Sequence, residues 1–116
     1  MNCQIRYAPA AQRDMDAVWD GVADASGSYD LADKYVEDFA DKIAAKKEFP
    51  RSGIPLYYRG LFTGYYSVNF KAYKAFCRVR EGCIEVARIL LMQQDYMRVL
   101  FGINEYEENQ PEDEWQ

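Results

Sequence analysis

The spacing of apolar residues changes period once, near the middle of the chain. Met15, Val18, Trp19 and Val22 fall at i, i+3, i+4 and i+7, the single apolar stripe of a helix with a core-facing side. Pro9 suits the first turn of that helix, where its missing N–H is no loss. Asp14, Asp16, Asp20 and Asp24 flank the stripe. Ser26-Gly27-Ser28 interrupts it, and Asp30 is the expected N-cap of a second helix. There Leu31, Tyr35, Phe39 and Ile43 repeat every four residues, with Ala32, Val36 and Ala40 beside them. Phe49-Pro50-Arg51-Ser52-Gly53 ends the pattern as a turn-rich exit. Two helices with so short a break form an antiparallel hairpin, and Trp19, Tyr35 and Phe39 are expected in its core.

Strand signals occupy the rest of the chain. Cys3–Tyr7 alternates weakly as a short first strand. Ile54–Phe62 is an aromatic and basic connector that its pattern assigns to neither class. Tyr65–Phe70 is rich in β-formers, Lys71-Ala72 is a possible turn, and Tyr73–Arg80 is the next strand. On that strand Tyr73, Ala75, Cys77 and Val79 share one face, and Lys74, Phe76, Arg78 and Arg80 share the other. Glu81-Gly82 is an acceptable hairpin turn, weaker than Asn-Gly. Cys83–Leu91 is apolar on both faces apart from Glu85 and Arg88, as a central strand should be. Asp95–Phe101 can form one or two helical turns. The predicted order is β-α-α-β-β-β with a short C-terminal helical turn, an α+β class. Its helical hairpin covers one face of a small, mainly antiparallel sheet, and the other face stays partly open with basic and aromatic side chains.

Size and composition narrow the picture further. A chain of 116 residues, 49% apolar and 16% aromatic, makes one compact domain. We place it at residues 1–103, followed by an acidic, flexible tail at 104–116. No apolar run approaches the roughly 20 residues of a membrane helix. MNCQIRYAP resembles no signal peptide, so a cytoplasmic protein without membrane association is expected. Three cysteines (Cys3, Cys77, Cys83) and no histidine speak against a disulfide framework or a metal site; neither metal nor cofactor is expected. Lack of histidine also removes the commonest general base.

The net charge of −5 hides a strong asymmetry. Residues 1–45 carry four basic and nine acidic side chains, residues 46–103 ten basic and four acidic, and residues 104–116 six acidic and no basic. The ordinary reading is a solvated helix face and a disordered tail. The sharper one is a basic body that meets nucleic acid or an acidic partner.

Tyr7-Ala8-Pro9-Ala10-Ala11, Asp14, Trp19, Ala32, Phe49-Pro50-Arg51-Ser52-Gly53, Phe76-Cys77-Arg78-Val79, Val86-Ala87-Arg88-Ile89-Leu90 and Asp95-Tyr96 follow one another in a familiar order. In that order the chain resembles the RelE/ParE toxins of type II toxin–antitoxin modules, and more closely their ParE-like, plasmid-stabilisation branch, over about Ile5 to Phe101. The resemblance implies a bacterial toxin that inhibits growth, neutralised by a cognate antitoxin wrapped on its surface. Its target is either DNA gyrase, as for ParE-like members, or mRNA in the ribosome, as for RelE-like ribonucleases. Homodimerisation is a further possibility.

Metal-free RNA cleavage needs a base for the 2′-hydroxyl, cations for the developing charge, and an acid for the leaving oxygen. The resemblance assigns these roles, if the chain is a ribonuclease, to Lys74, Arg88 and Tyr96. Arg59, Lys71, Lys74, Arg78, Arg80 and Arg88 are the candidates for contacting target or nucleic acid, with Tyr57, Tyr58, Tyr65 and Tyr66 as stacking aromatics. The structural alternative for Arg88 is a hydrogen-bonded pair across the sheet, for example with Asp95. Past Leu90, where many relatives place histidine or basic residues, this chain has Leu91-Met92-Gln93-Gln94. Glu81 or Glu85 substitutes for the missing base only if it faces the open side. That departure favours the gyrase-binding reading, with a degenerate, non-toxic member as a third.

Overall fold

The computed structural model describes residues 4–102. Cys3 and the acidic tail therefore lie outside the described residues. Strand β1 (Gln4–Tyr7) leads into helix α1 (Pro9–Ser26), then α2 (Tyr29–Ala44) and a 3₁₀ turn (Ala45–Lys47). Strands β2 (Ile54–Tyr58), β3 (Leu61–Phe70), β4 (Tyr73–Arg80) and β5 (Cys83–Leu91) follow, and α3 (Tyr96–Phe101) closes the described chain. The five-stranded sheet has the order β1-β5-β4-β3-β2. Strands β2 to β5 form an antiparallel meander, while β1 pairs with β5 in parallel.

Local chemistry explains the junctions. The α2 N-cap is Ser28 rather than Asp30: its side chain accepts the Leu31 N–H at 3.1 Å. Asp30 instead lies in the first turn, where a carboxylate faces the positive end of the helix dipole. The Phe49 carbonyl accepts the Ser52 N–H at 2.9 Å, closing the turn that leads to β2. At Gly53 a Cβ atom would meet the Ser67 carbonyl oxygen at 3.0 Å and Tyr66 Cβ at 3.2 Å, so no larger side chain fits without displacing β3.

The segment left unassigned by its pattern, Ile54–Phe62, is the β2–β3 hairpin. Pro55 hides it, yet proline is tolerated on an edge strand, where its missing donor breaks no second ladder. Arg59 and Gly60 have φ of 52° and 80°, and Glu81 and Gly82 have 48° and 74°. Positive φ at both central residues is the geometry that matches the twist of a two-residue hairpin.

The main core lies between the helices and the sheet. Ala11, Met15, Val18, Phe39 and Ile43 from the helices meet Val68, Ala75, Cys77, Ile84, Val86 and Ile89. Phe39 stacks on Phe70 at 4.9 Å, and Tyr35 meets Phe70 edge-on at 5.3 Å. Two members of the helical stripes do not join this core. Leu31 is 54% exposed. Trp19 is half-buried at the helix–helix junction, with its indole N–H on Asp33 (2.7 Å) and its ring against Tyr29. Indole keeps a polar edge that needs a partner, and the junction supplies one.

A one-residue bulge interrupts β5. Phe76 opposes Arg88 and Cys77 opposes Val86, which leaves Ala87 unpaired. Val86 and Ile89, three apart, can therefore both face the helices, which a regular strand forbids.

The second face of the sheet is less open than its polar residues suggest. Helix α3 lies on it: Tyr96 packs on Phe76 at 5.3 Å and Phe101 meets Tyr65 edge-on at 5.4 Å. Phe76, Leu90, Met97 and Ser67 are buried.

Candidate functional site

Four of the predicted site residues come from two neighbouring elements on that second face. Period-two alternation of β4 sets Lys74, Phe76, Arg78 and Arg80 on one side. Asp95 caps α3 by accepting the Arg98 N–H at 3.2 Å, which starts the helix at Tyr96. Lys74 Nζ then lies 5.5 Å from the centre of the Tyr96 ring, a cation–π distance. Buried Phe76 supports the same ring. Lys74 and Tyr96 thus form a supported pair.

Arg78 and Arg80 are already occupied. Glu85 stands directly opposite Arg78 in the β4–β5 register and binds it at 2.5 Å, with Arg80 at 3.8 Å. The Arg78 guanidinium also lies 5.2 Å from the Tyr65 ring centre. Glu85 does share the face of the basic residues, but its carboxylate is held between two arginines. Glu81, in the exposed β4–β5 turn, lies at the far end of that strand from Lys74.

Arg88 goes elsewhere. Its Nε and Nη2 donate to the two carboxylate oxygens of Asp14 on α1, at 2.7 and 3.1 Å. The partner is Asp14, not Asp95, which is committed to capping α3. Hydrogen bonding to Asp14, partly opposed by burial, raises the Arg88 pKa further above its usual value. The same carboxylate accepts the Ile89 N–H at 2.9 Å. Strand β1 ends at Tyr7, opposite Val86, so β5 runs on without a neighbour there. Asp14 supplies the acceptor that the strand has lost.

Lys71 and Arg59 do not join the Lys74–Tyr96 pair. Lys71 sits on the helix side, 5.3 Å from the Tyr35 ring centre and 5.5 Å from that of Phe70. Arg59 lies in the β2–β3 turn, 5.5 Å from the Tyr58 ring centre. Leu91-Met92-Gln93-Gln94 is a turn stitched by its own side chain: Gln94 Oε1 accepts the Leu91 N–H at 2.9 Å. It brings neither base nor proton donor to the site. Among the described residues, no group of three His, Cys, Asp or Glu side chains converges as a metal would require.

The described residues thus form a helical hairpin on a five-stranded, mostly antiparallel sheet with a short closing helix, an α+β class. The family described as ParE toxin of type II toxin–antitoxin system, parDE, matches residues 5–96. The chain belongs to that family. Its fold is similar to a chain of the chromosomal ParDE toxin–antitoxin system of P. aeruginosa, with a TM-score of 0.67 and 19% identity over 78% of this chain and 97% of that one. It is also similar to a chain of the RelBE2 toxin–antitoxin complex of Mycobacterium tuberculosis, with a TM-score of 0.54 and 15% identity over 81% and 95%. A search of curated proteins returned no match.

Proposed function

We propose that this toxin arrests growth by binding DNA gyrase, without chemistry of its own, and that a cognate antitoxin neutralises it by covering its surface. The observation that carries the reading is the ParE family match across residues 5–96. The side-chain arrangement supports it. Of the cations on β4 and β5, Arg88 is held by Asp14 and the two arginines of β4 by Glu85, which leaves these three paired with carboxylates rather than free to stabilise the charge that develops in RNA cleavage. Inducing the chain alone in bacteria should stop growth and trigger the DNA-damage response. Purified protein should inhibit gyrase supercoiling, and unchanged supercoiling would count decisively against the proposal.

The Lys74–Tyr96 pair favours a second reading, a ribosome-dependent mRNA endoribonuclease. On that reading, new mRNA 5′ ends appear during induction and vanish in Lys74→Ala. Primer extension separates the two.

A further inference from the structure

Among the described residues, each outer strand of the sheet has one unpaired edge, and the two edges expose different chemistry. Strand β1 turns Gln4 and Arg6 to solvent and keeps Ile5 and Tyr7 half-buried. Strand β2 exposes Ile54 at 55% and Tyr57 at 57%, and Leu61 (74%) and Phe62 (46%) follow beyond its turn. Tyr57, Phe62 and Tyr66 make a ladder of rings, 5.8 and 5.3 Å apart. The ladder lies on the face that carries the helices, since Tyr66 alternates with core Val68. Ile54, opposite Ser67, and Leu61, opposite Tyr58, belong to the second face. A docked helix covers one face only. A strand added beside β2 carries side chains on both faces, which matches apolar exposure on both.

The backbone suits such an addition. Tyr58 and Leu61, the pair that closes the two-residue turn, bond toward each other. At Tyr57, one residue earlier, the N–H and C=O therefore point away from β3. Charge then selects the partner. From Phe49 to Phe70 the chain carries Arg51 and Arg59 and no acidic residue. Arg51, three residues before β2, is exposed, and no carboxylate among the described residues reaches it. A second copy of β2 would bring like charges to this edge, and a second Pro55 without an N–H to give. An acidic strand meets neither obstacle. We propose that the outer edge of β2 is a docking site for an extended, acidic segment of another protein, which adds a sixth strand to the sheet. Its apolar side chains cover Ile54 on one face and Tyr57 on the other, and a carboxylate meets Arg51. The identity of that protein rests on the function proposed above, whereas the pairing itself does not.

The test is amide NMR on the full chain, titrated with a short capped peptide of alternating valine and glutamate, beside the same peptide with lysine for glutamate. The glutamate peptide should shift the amides of residues 54–58 and slow hydrogen exchange at Tyr57, and the lysine peptide should do neither. Arg51→Glu, at an exposed turn position, should weaken the glutamate peptide about fivefold, the effect of reversing one exposed charge. Tyr57→Thr, which keeps a β-former at the edge, should weaken it as well. Unmoved amides at residues 54–58, or equal shifts with the two peptides, overturn the proposal. Shifts of the same amides on diluting the protein alone overturn it in favour of a second copy. Tighter binding of a single-stranded RNA oligonucleotide at these amides overturns it in favour of nucleic acid. None of these readouts involves gyrase or toxicity, so a negative result here leaves the proposed function standing.

Discussion

The Asp14 carboxylate, on the first helix, binds the Arg88 guanidinium, on the last strand, through two hydrogen bonds and takes the Ile89 N–H as a third. Both side chains are mostly buried, at 16% and 32% exposure. Hydrogen bonds to charged groups contribute about 1.5–3 kcal/mol each when removal strands a partner; partial solvent access discounts the total. Asp14→Ala should therefore cost about 2–3 kcal/mol in urea unfolding. Asp14→Asn keeps an acceptor for Ile89 and should cost about 1 kcal/mol. If Asp14→Ala unfolds at the wild-type midpoint, the contact contributes nothing to the fold.

Burial pushes the Cys77 thiol up to about 12 from 9.0. The unfolded thiol ionises first, so the folded state holds the extra proton between those values. The stability linked to this thiol is intact below pH 9 and is lost as pH rises toward 12, at up to about 1.4 kcal/mol per pH unit. Burial raises the Tyr7 hydroxyl too, which adds a decline of the same sign above pH 10. Cys77→Ala should flatten the first part of this alkaline loss. Native protein at pH 8 should label with a thiol reagent at half-buried Cys83 but not at Cys77, and rapid labelling of Cys77 would contradict its burial.

Glu81 holds φ of 48° without being glycine or asparagine. A left-handed conformation costs an ordinary residue about 1–2 kcal/mol, and asparagine avoids part of that. Glu81→Asn should raise stability by about 0.5–1 kcal/mol. A lower melting temperature in the variant would show that the glutamate has a compensating contact.

Glu85 restrains the two arginines of β4. Glu85→Gln should leave stability within about 1 kcal/mol, since the arginines are partly exposed. It should nevertheless make the protein elute from heparin at higher salt, because both guanidinium groups become available to anions. Unchanged elution would mean that Arg78 stays engaged with the Tyr65 ring.

Local regularities were legible in the sequence and distant pairings were not. The four-residue repeat of α2, the face of β4 and the Lys71-Ala72 and Glu81-Gly82 turns follow from short-range periodicity and turn chemistry. Strand β2 escaped because Pro55 and a register shift between Pro55 and Tyr57 erase its alternation. Trp19 and Leu31 lie on apolar stripes yet outside the core, because periodicity gives the face of a helix but not how much of it is covered. Arg88 showed itself as a basic residue on an apolar strand, but its partner lies 74 residues away. Only the ending of β1 at Tyr7 makes Asp14 necessary. The Ala87 bulge could be inferred from Val86 and Ile89 only once both were known to be buried.

The parallel pairing of β1 with β5 also has a kinetic consequence. Ile5 lies beside Ile84, whereas the helical hairpin and the β2–β5 meander join neighbours in sequence. Local units form early and distant pairings late, since loop-closure entropy must be overcome before distant contacts reward it. A growing chain can assemble most of this sheet while its first strand still waits for a partner. The strand made first should dock last, so a nascent chain cannot present the finished surface until synthesis has passed Val86.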